Sequence, residues 1–150
     1  MASLQRKYTG DILILAVANL FNLIMVGIFY ARTQGAQHPQ IFALVWAGFI
    51  LLLAVAGISN LLAGREWWSY VLPLIMIIFL ALELVLDYIL QLDFRNTALL
   101  TPYLILYYLA ILGMIGYAFQ VGRKWGFITL ATYFLSQIAA LFSYFRVGHG

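Results

Sequence analysis

Glu83 and Asp87 stand four residues apart in Trp67 to Leu92, a stretch that is otherwise apolar almost throughout. That spacing puts both carboxylates on one face of a helix. An ionised acid at the centre of a bilayer costs about 2.5–3.5 kcal/mol on insertion scales, so such residues turn toward a bundle interior or a wet cavity. A bilayer core of about 30 Å is crossed by about 20 helical residues. A helix entering near Trp68 therefore leaves near Tyr88. Asp87 then lies at the outer interface, within reach of water, and Glu83 about 6–8 Å deeper at 1.5 Å per residue. No lysine or arginine falls at the depth of Glu83. Burial and the neighbouring acid both disfavour its charge, so Glu83 is expected to hold its proton at rest and to release it when wetted. Gln91 and Arg95 extend the four-residue steps along the same face if the helix persists to Arg95. In the plainer reading, Asp87 snorkels at a salt-bridged helix end, where Arg95 folds back toward Asp87 or pairs with Asp93 beside it.

Other polar side chains fall at a similar depth in other apolar runs. Asn19 and Asn22 are three apart near the middle of the first, Tyr107 lies in the outer half of the fourth, and Gln137 lies near the middle of the fifth. With Glu83 and Asp87 they are the candidate liners of a site for a small ligand or a proton. Taken singly, each amide reads as interhelical glue, worth roughly 0.6 kcal/mol on average. Their shared depth is what makes a site of them. Asn60, near the inner end of the second run, reads as a helix-end polar group.

Composition says what must position these residues. The 150 residues are 65% hydrophobic and 9% charged, against about 25% charged in a soluble domain. Mean hydropathy is +1.00. Most of the surface must face lipid, and the whole chain reads as one transmembrane domain with no room for a soluble one. The fold class is all-α: a polytopic bundle of five transmembrane helices, at about 12–30, 41–63, 67–92, 102–120 and 125–145. The first run is too long for a signal-peptide core and holds Asn19 and Asn22, so it is retained. Thr9 or Asp11 is its expected N-cap. Gly35 and Pro39 break the polar connection at 31–40. Gly64 caps the second helix, Trp67 and Trp68 mark the interface, and Pro73 sits in the second turn of the third. Thr101-Pro102 reads as a cap followed by proline at the first helical position. Small residues in spans two, four and five, such as Gly57, Gly113, Thr129 and Ser136, mark close helix contacts.

Arg6, Lys7, Arg65, Arg123 and Lys124 gather on the N-terminal side, with Arg32, Arg95 and Arg146 opposite. That excess puts the N-terminus in the cytoplasm and the C-terminus outside. It forms no patch for nucleic acid.

Several chemistries lack their residues. There is no cysteine, hence no thiolate site. His38 and His149 lie outside the spans, which leaves bis-histidine haem without ligands. Lys7 and Lys124 lie at span ends, so an intramembrane Schiff base has no amine, and paired Glu-x-x-His motifs for di-iron are missing. No cofactor or metal is expected. Val26–Tyr30–Arg32 and Leu112–Tyr117–Arg123 fit weak cholesterol-type patterns. In its plan of five spans in about 150 residues, the chain resembles the translocator/tryptophan-rich sensory proteins in architecture alone. It holds four tryptophans where those proteins are richer, and no family is assigned.

The leading expectation is a non-enzymatic protein of the plasma or bacterial inner membrane. It binds a small ligand or moves a solute coupled to protons, as a homo-oligomer. The alternatives are an accessory subunit of a larger membrane complex, also suited to holding lipid or pigment, and a lipid-modifying enzyme using Glu83 and Asp87 as an acid–base pair.

Overall fold

The structure, a computed structural model, describes residues 2–35, 41–92, 94 and 97–147, with side chains from Thr9 onward. Its elements are α1 (Ala2–Thr33), α2 (Ile41–Leu62), α3 (Trp68–Glu83), a π-helical turn (Leu84–Ile89) continuing α3, α4 (Leu100–Val121) and α5 (Arg123–Val147). With no water to satisfy backbone groups inside lipid, long apolar runs have to close their hydrogen bonds internally, and the helix does so. All five helices are long and apolar enough to cross a membrane, as a multi-pass bundle. His38, Pro39, Asp93, Arg95 and His149 lie outside the described residues, as do the side chains of Arg6 and Lys7.

Each helix packs on its neighbours in sequence, and α5 closes the ring against α1. Asn19 pairs with Thr129 and Asn22 with Thr132, so both helices advance together and α1 runs parallel to α5. The α5 seam is made of small residues: Gly126, Thr129, Ser136 and Ser143 are its buried positions. In lipid, where apolar burial gives no preference for protein over solvent, such close backbone packing holds helices together. The core between α1, α2, α3 and α4 is an aromatic column. Phe21 meets Trp46 at 5.2 Å and Phe79 edge-on at 6.0 Å, and Phe79 meets Tyr107 at 5.4 Å.

Several helix ends differ from expectation. α1 begins upstream, so Thr9 and Asp11 lie inside it rather than capping it. α4 begins at Leu100 after Leu99, which makes no side-chain cap, so Thr101 and Pro102 fall within its first turn. Proline is tolerated there because the first backbone N–H groups have no intrahelical partner. Gly64 does end α2 as expected. It has φ 62°, Gly64 N–H donates to Leu61 O, and Arg65 N–H donates to Asn60 O. This is the two-bond glycine stop in which only a residue without Cβ is unstrained.

The third span ends earlier than the four-residue stripe requires. It passes into the π turn, and the chain reverses at Gln91, whose φ is 49°. Leu92 N–H then donates to Leu86 O at 3.0 Å. The face from Glu83 to Gln91 is therefore not one continuous α-helical face. A glutamine in the left-handed region costs roughly 1–2 kcal/mol, partly offset in a glycine variant by unfolded-chain entropy. Gln91→Gly is expected to raise unfolding stability in detergent by about 0.5–1 kcal/mol. Unchanged or lowered stability in an equilibrium unfolding titration would show that this turn is not strained.

Candidate functional site

The structure gathers buried polar groups at both ends of the bundle. Near one end, at the close of the α-helical part of α3, Glu83 is 7% exposed. The Tyr103 hydroxyl of α4 donates to its Oε2 at 2.5 Å. The ring of Tyr103 lies against Phe79 at 5.7 Å and against the buried Phe94 at 4.8 Å, which fixes the phenol beside the acid. The contact serves both protonation states. A carboxylate accepts from the phenol, and a protonated carboxyl donates to the phenol oxygen.

The π turn begins at the residue after Glu83 and holds Asp87, half-buried, and Tyr88. Tyr88 lies within electrostatic range of Glu83, Asp87 and Arg32. It also approaches the indole of Trp46 without closing a hydrogen bond. Trp46 is fully buried, and among the described residues its Nε1–H has only Tyr88 near it, outside good hydrogen-bond geometry. A buried donor left unpaired costs about 1–3 kcal/mol, and π turns recur at functional sites. Both features fall in the half of the bundle that holds Glu83.

The remaining expected liners divide. Gln137 Nε2 donates to the Tyr107 hydroxyl at 3.1 Å, joining α5 to α4. Tyr107 packs on Phe79, two ring contacts from Phe94 by way of Tyr103. Asn19 and Asn22 face α5 instead. Asn19 Nδ2 donates to Leu15 O at 2.8 Å and Thr129 Oγ1 at 3.1 Å, and the Thr132 hydroxyl donates to Asn19 Oδ1 at 2.9 Å. Asn22 Nδ2 donates to Thr132 Oγ1 at 3.1 Å. This ladder fastens the parallel pair and makes no hydrogen bond to Glu83. Asn22→Ala is accordingly expected to cost about 0.6 kcal/mol, and no more than about 1.7, in unfolding stability. A larger loss, or an altered response at Glu83, would give Asn22 more than a fastening part.

The opposite end holds a polar cluster that sequence reasoning did not assemble. Asp11 is 8% exposed. Arg65 meets it end-on, Nη1 to Oδ1 at 2.6 Å and Nη2 to Oδ2 at 3.2 Å. The Tyr117 hydroxyl of α4 donates to Asp11 Oδ1 at 2.5 Å. Asn60, 2% exposed, accepts from Arg65 Nη1 at 3.0 Å and donates to Ser69 O and the Tyr117 oxygen. α1 passes close enough here that a Cβ on Gly10 would sit 3.0 Å from Asn60 Oδ1, which explains a glycine at that turn. Burial disfavours the charge of Arg65, but its hydrogen bond and attraction to Asp11, aided by Tyr117, outweigh this. They hold the guanidinium above its ordinary value.

The chain matches no known family model, curated protein or solved structure. Function therefore rests on the chemistry of the two clusters.

From sequence alone Asp11 is a cap, Arg65 a turn and topology charge, and Asn60 a helix-end group. The available signal was that Asp11 and Arg65 lie at the same end of the bundle with opposite charge. Tyr117 was read within a cholesterol-type pattern, but it is fully buried and turned to Asp11, which removes that pattern from the lipid face. Tyr103 carries no sequence signal apart from its place near the start of α4.

Proposed function

We propose that this is a small non-enzymatic membrane protein that binds a small ligand or moves a solute coupled to protons, with Glu83 as the proton-carrying group. The observation that carries the reading is the buried Glu83 carboxyl, hydrogen-bonded by Tyr103 and set where α3 gives way to a π turn. The buried Trp46 indole N–H beside Tyr88 supports it, because it adds a second buried polar pair near Glu83. Asp87, at the next turn, forms the mouth. Tyr107 and Gln137 line the site more deeply, and Asn19 and Asn22 hold the wall behind them. Between Tyr107 and Tyr117 the buried face of α4 is Ala110, Ile111, Met114 and Ile115, apolar over about 15 Å at 1.5 Å per residue. On α4 that apolar stretch separates Tyr107, on the Glu83 side, from Tyr117 at the Asp11 cluster, and in this reading exchange with water runs through the Glu83 end. The positive-charge balance puts the Arg65 end in the cytoplasm and the Glu83 end outside, in a cell membrane.

The test is proton and solute flux in liposomes carrying the purified protein. Wild type is expected to dissipate an imposed pH gradient or bind a solute in a pH-dependent way, and Glu83→Gln is expected to do neither. Equal behaviour of the two would remove Glu83 from the mechanism.

A second reading is an accessory subunit of a larger membrane complex, also suited to holding lipid or pigment. The outward face of α5 favours it, with Trp125, Phe127, Phe134, Phe142, Tyr144 and Phe145 exposed. Purification from native membranes in a stoichiometric complex would support that reading.

A further inference from the structure

A cleft of about 390 Å³ opens where α2 ends, beside the Asp11 cluster. Its polar side is Ser59, Asn60 and Arg65, and its apolar side is Val55, Ile58 and Leu62. The apolar side continues up the exposed face of α2 through Leu51 and Leu44, which are 65% and 75% exposed. These residues recur at steps of three, four and seven and so form one stripe along the helix. Trp67, 63% exposed, lies two residues after Arg65, and exposed tryptophans settle at the headgroup level.

The geometry of Arg65 says what the polar side receives. A guanidinium carries five N–H donors. Asp11 takes one from Nη1 and one from Nη2, and Asn60 takes the other from Nη1. Among the described residues, an end-on pair of this kind leaves the side-on fork, Nε–H with the remaining Nη2–H, with the Tyr117 hydroxyl as a further neighbour of the guanidinium. The group is held still by Asp11 and by Trp68, whose ring centre lies 5.6 Å from the guanidinium carbon. A rigid two-donor fork matches two oxygens of one phosphate.

We propose that this cleft binds a membrane phospholipid, its phosphodiester on the Arg65 fork and an acyl chain along the Val55–Ile58–Leu62 stripe. Asp11 already balances the arginine. The site therefore suits the single negative charge of a phosphodiester better than a dianionic free phosphate, which meets more repulsion from Asp11. The apolar stripe likewise calls for a lipid rather than a soluble phosphate.

Native mass spectrometry of the detergent-purified protein tests this, with phosphatidylglycerol, phosphate-free diacylglycerol and inorganic phosphate as probes. Wild type is expected to retain one phosphatidylglycerol and no diacylglycerol, with no displacement by inorganic phosphate. Ser59→Phe fills the cleft, and Arg65→Lys keeps the charge but loses the fork. Each is expected to weaken retention about tenfold, or about 1.4 kcal/mol. Ile58→Ser lies on the exposed wall, outside the packed core, and is expected to weaken retention without lowering the melting temperature. It carries the test if Ser59→Phe does not fold. Equal retention by wild type and the folded variants, equal retention of diacylglycerol, or displacement by inorganic phosphate would overturn the assignment.

Discussion

Replacing Asp11 with alanine is expected to cost about 3–5 kcal/mol of unfolding stability, the loss typical when one partner of a buried ion pair is removed. The Arg65 side chain is 14% exposed and that of Asp11 12%, so the guanidinium left behind has little water to turn to. The Tyr117 hydroxyl loses its acceptor in the same step. The contact joins α1 to the α2–α3 turn, and through Tyr117 to α4, so α1 loosens from the bundle as well. The double variant Asp11→Leu with Arg65→Met removes both charges. It is expected to recover most of the loss, because the penalty lies in the unpaired charge rather than in the absent bond. Denaturant titration in a fixed detergent checks both. A loss below about 1 kcal/mol for Asp11→Ala would place the pair among surface contacts.

Glu83→Gln and Tyr103→Phe are expected to separate function from stability. Glutamine keeps an oxygen that accepts from the Tyr103 hydroxyl, so Glu83→Gln is expected to melt within a few degrees of wild type while losing all pH-dependent flux or binding. Tyr103→Phe keeps the acid but removes its donor. Leaving a buried acceptor without that hydroxyl is expected to cost about 1–3 kcal/mol. Its pH response is expected to shift rather than vanish, because the carboxyl is still present. A Tyr103→Phe protein with wild-type stability and wild-type pH response would mean that the phenol does not govern the acid.

The sequence showed the spans for a simple reason: lipid forces each apolar run into a helix, and runs such as Ile41–Leu62 contain little else. Gly64 was legible for the same kind of reason, since few residues other than glycine stop a helix with positive φ. The inward turn of Glu83 followed from the cost of its charge. What escaped depended on distant pairing. Asp11 and Arg65 are 54 positions apart, and nothing local distinguishes a capping aspartate from one buried in an ion pair. The π turn after Glu83 was hidden too, because Leu84–Ile89 contains neither glycine nor proline to announce an irregular helix. The four-residue stripe toward Arg95 assumed a regular helix, and Gln91 breaks it in a conformation usually left to glycine.

The most direct test of the central claim is infrared difference spectroscopy of the protein in lipid bilayers across a pH step, read in the carbonyl stretch of protonated carboxyls. Glu83 as a working proton carrier predicts a band that appears on acidification, shifts in heavy water and is missing in Glu83→Gln, with the Tyr103→Phe band displaced in frequency. A wild-type spectrum indistinguishable from that of Glu83→Gln at every pH would mean that this carboxyl never changes its proton, and the site proposed around it would fall.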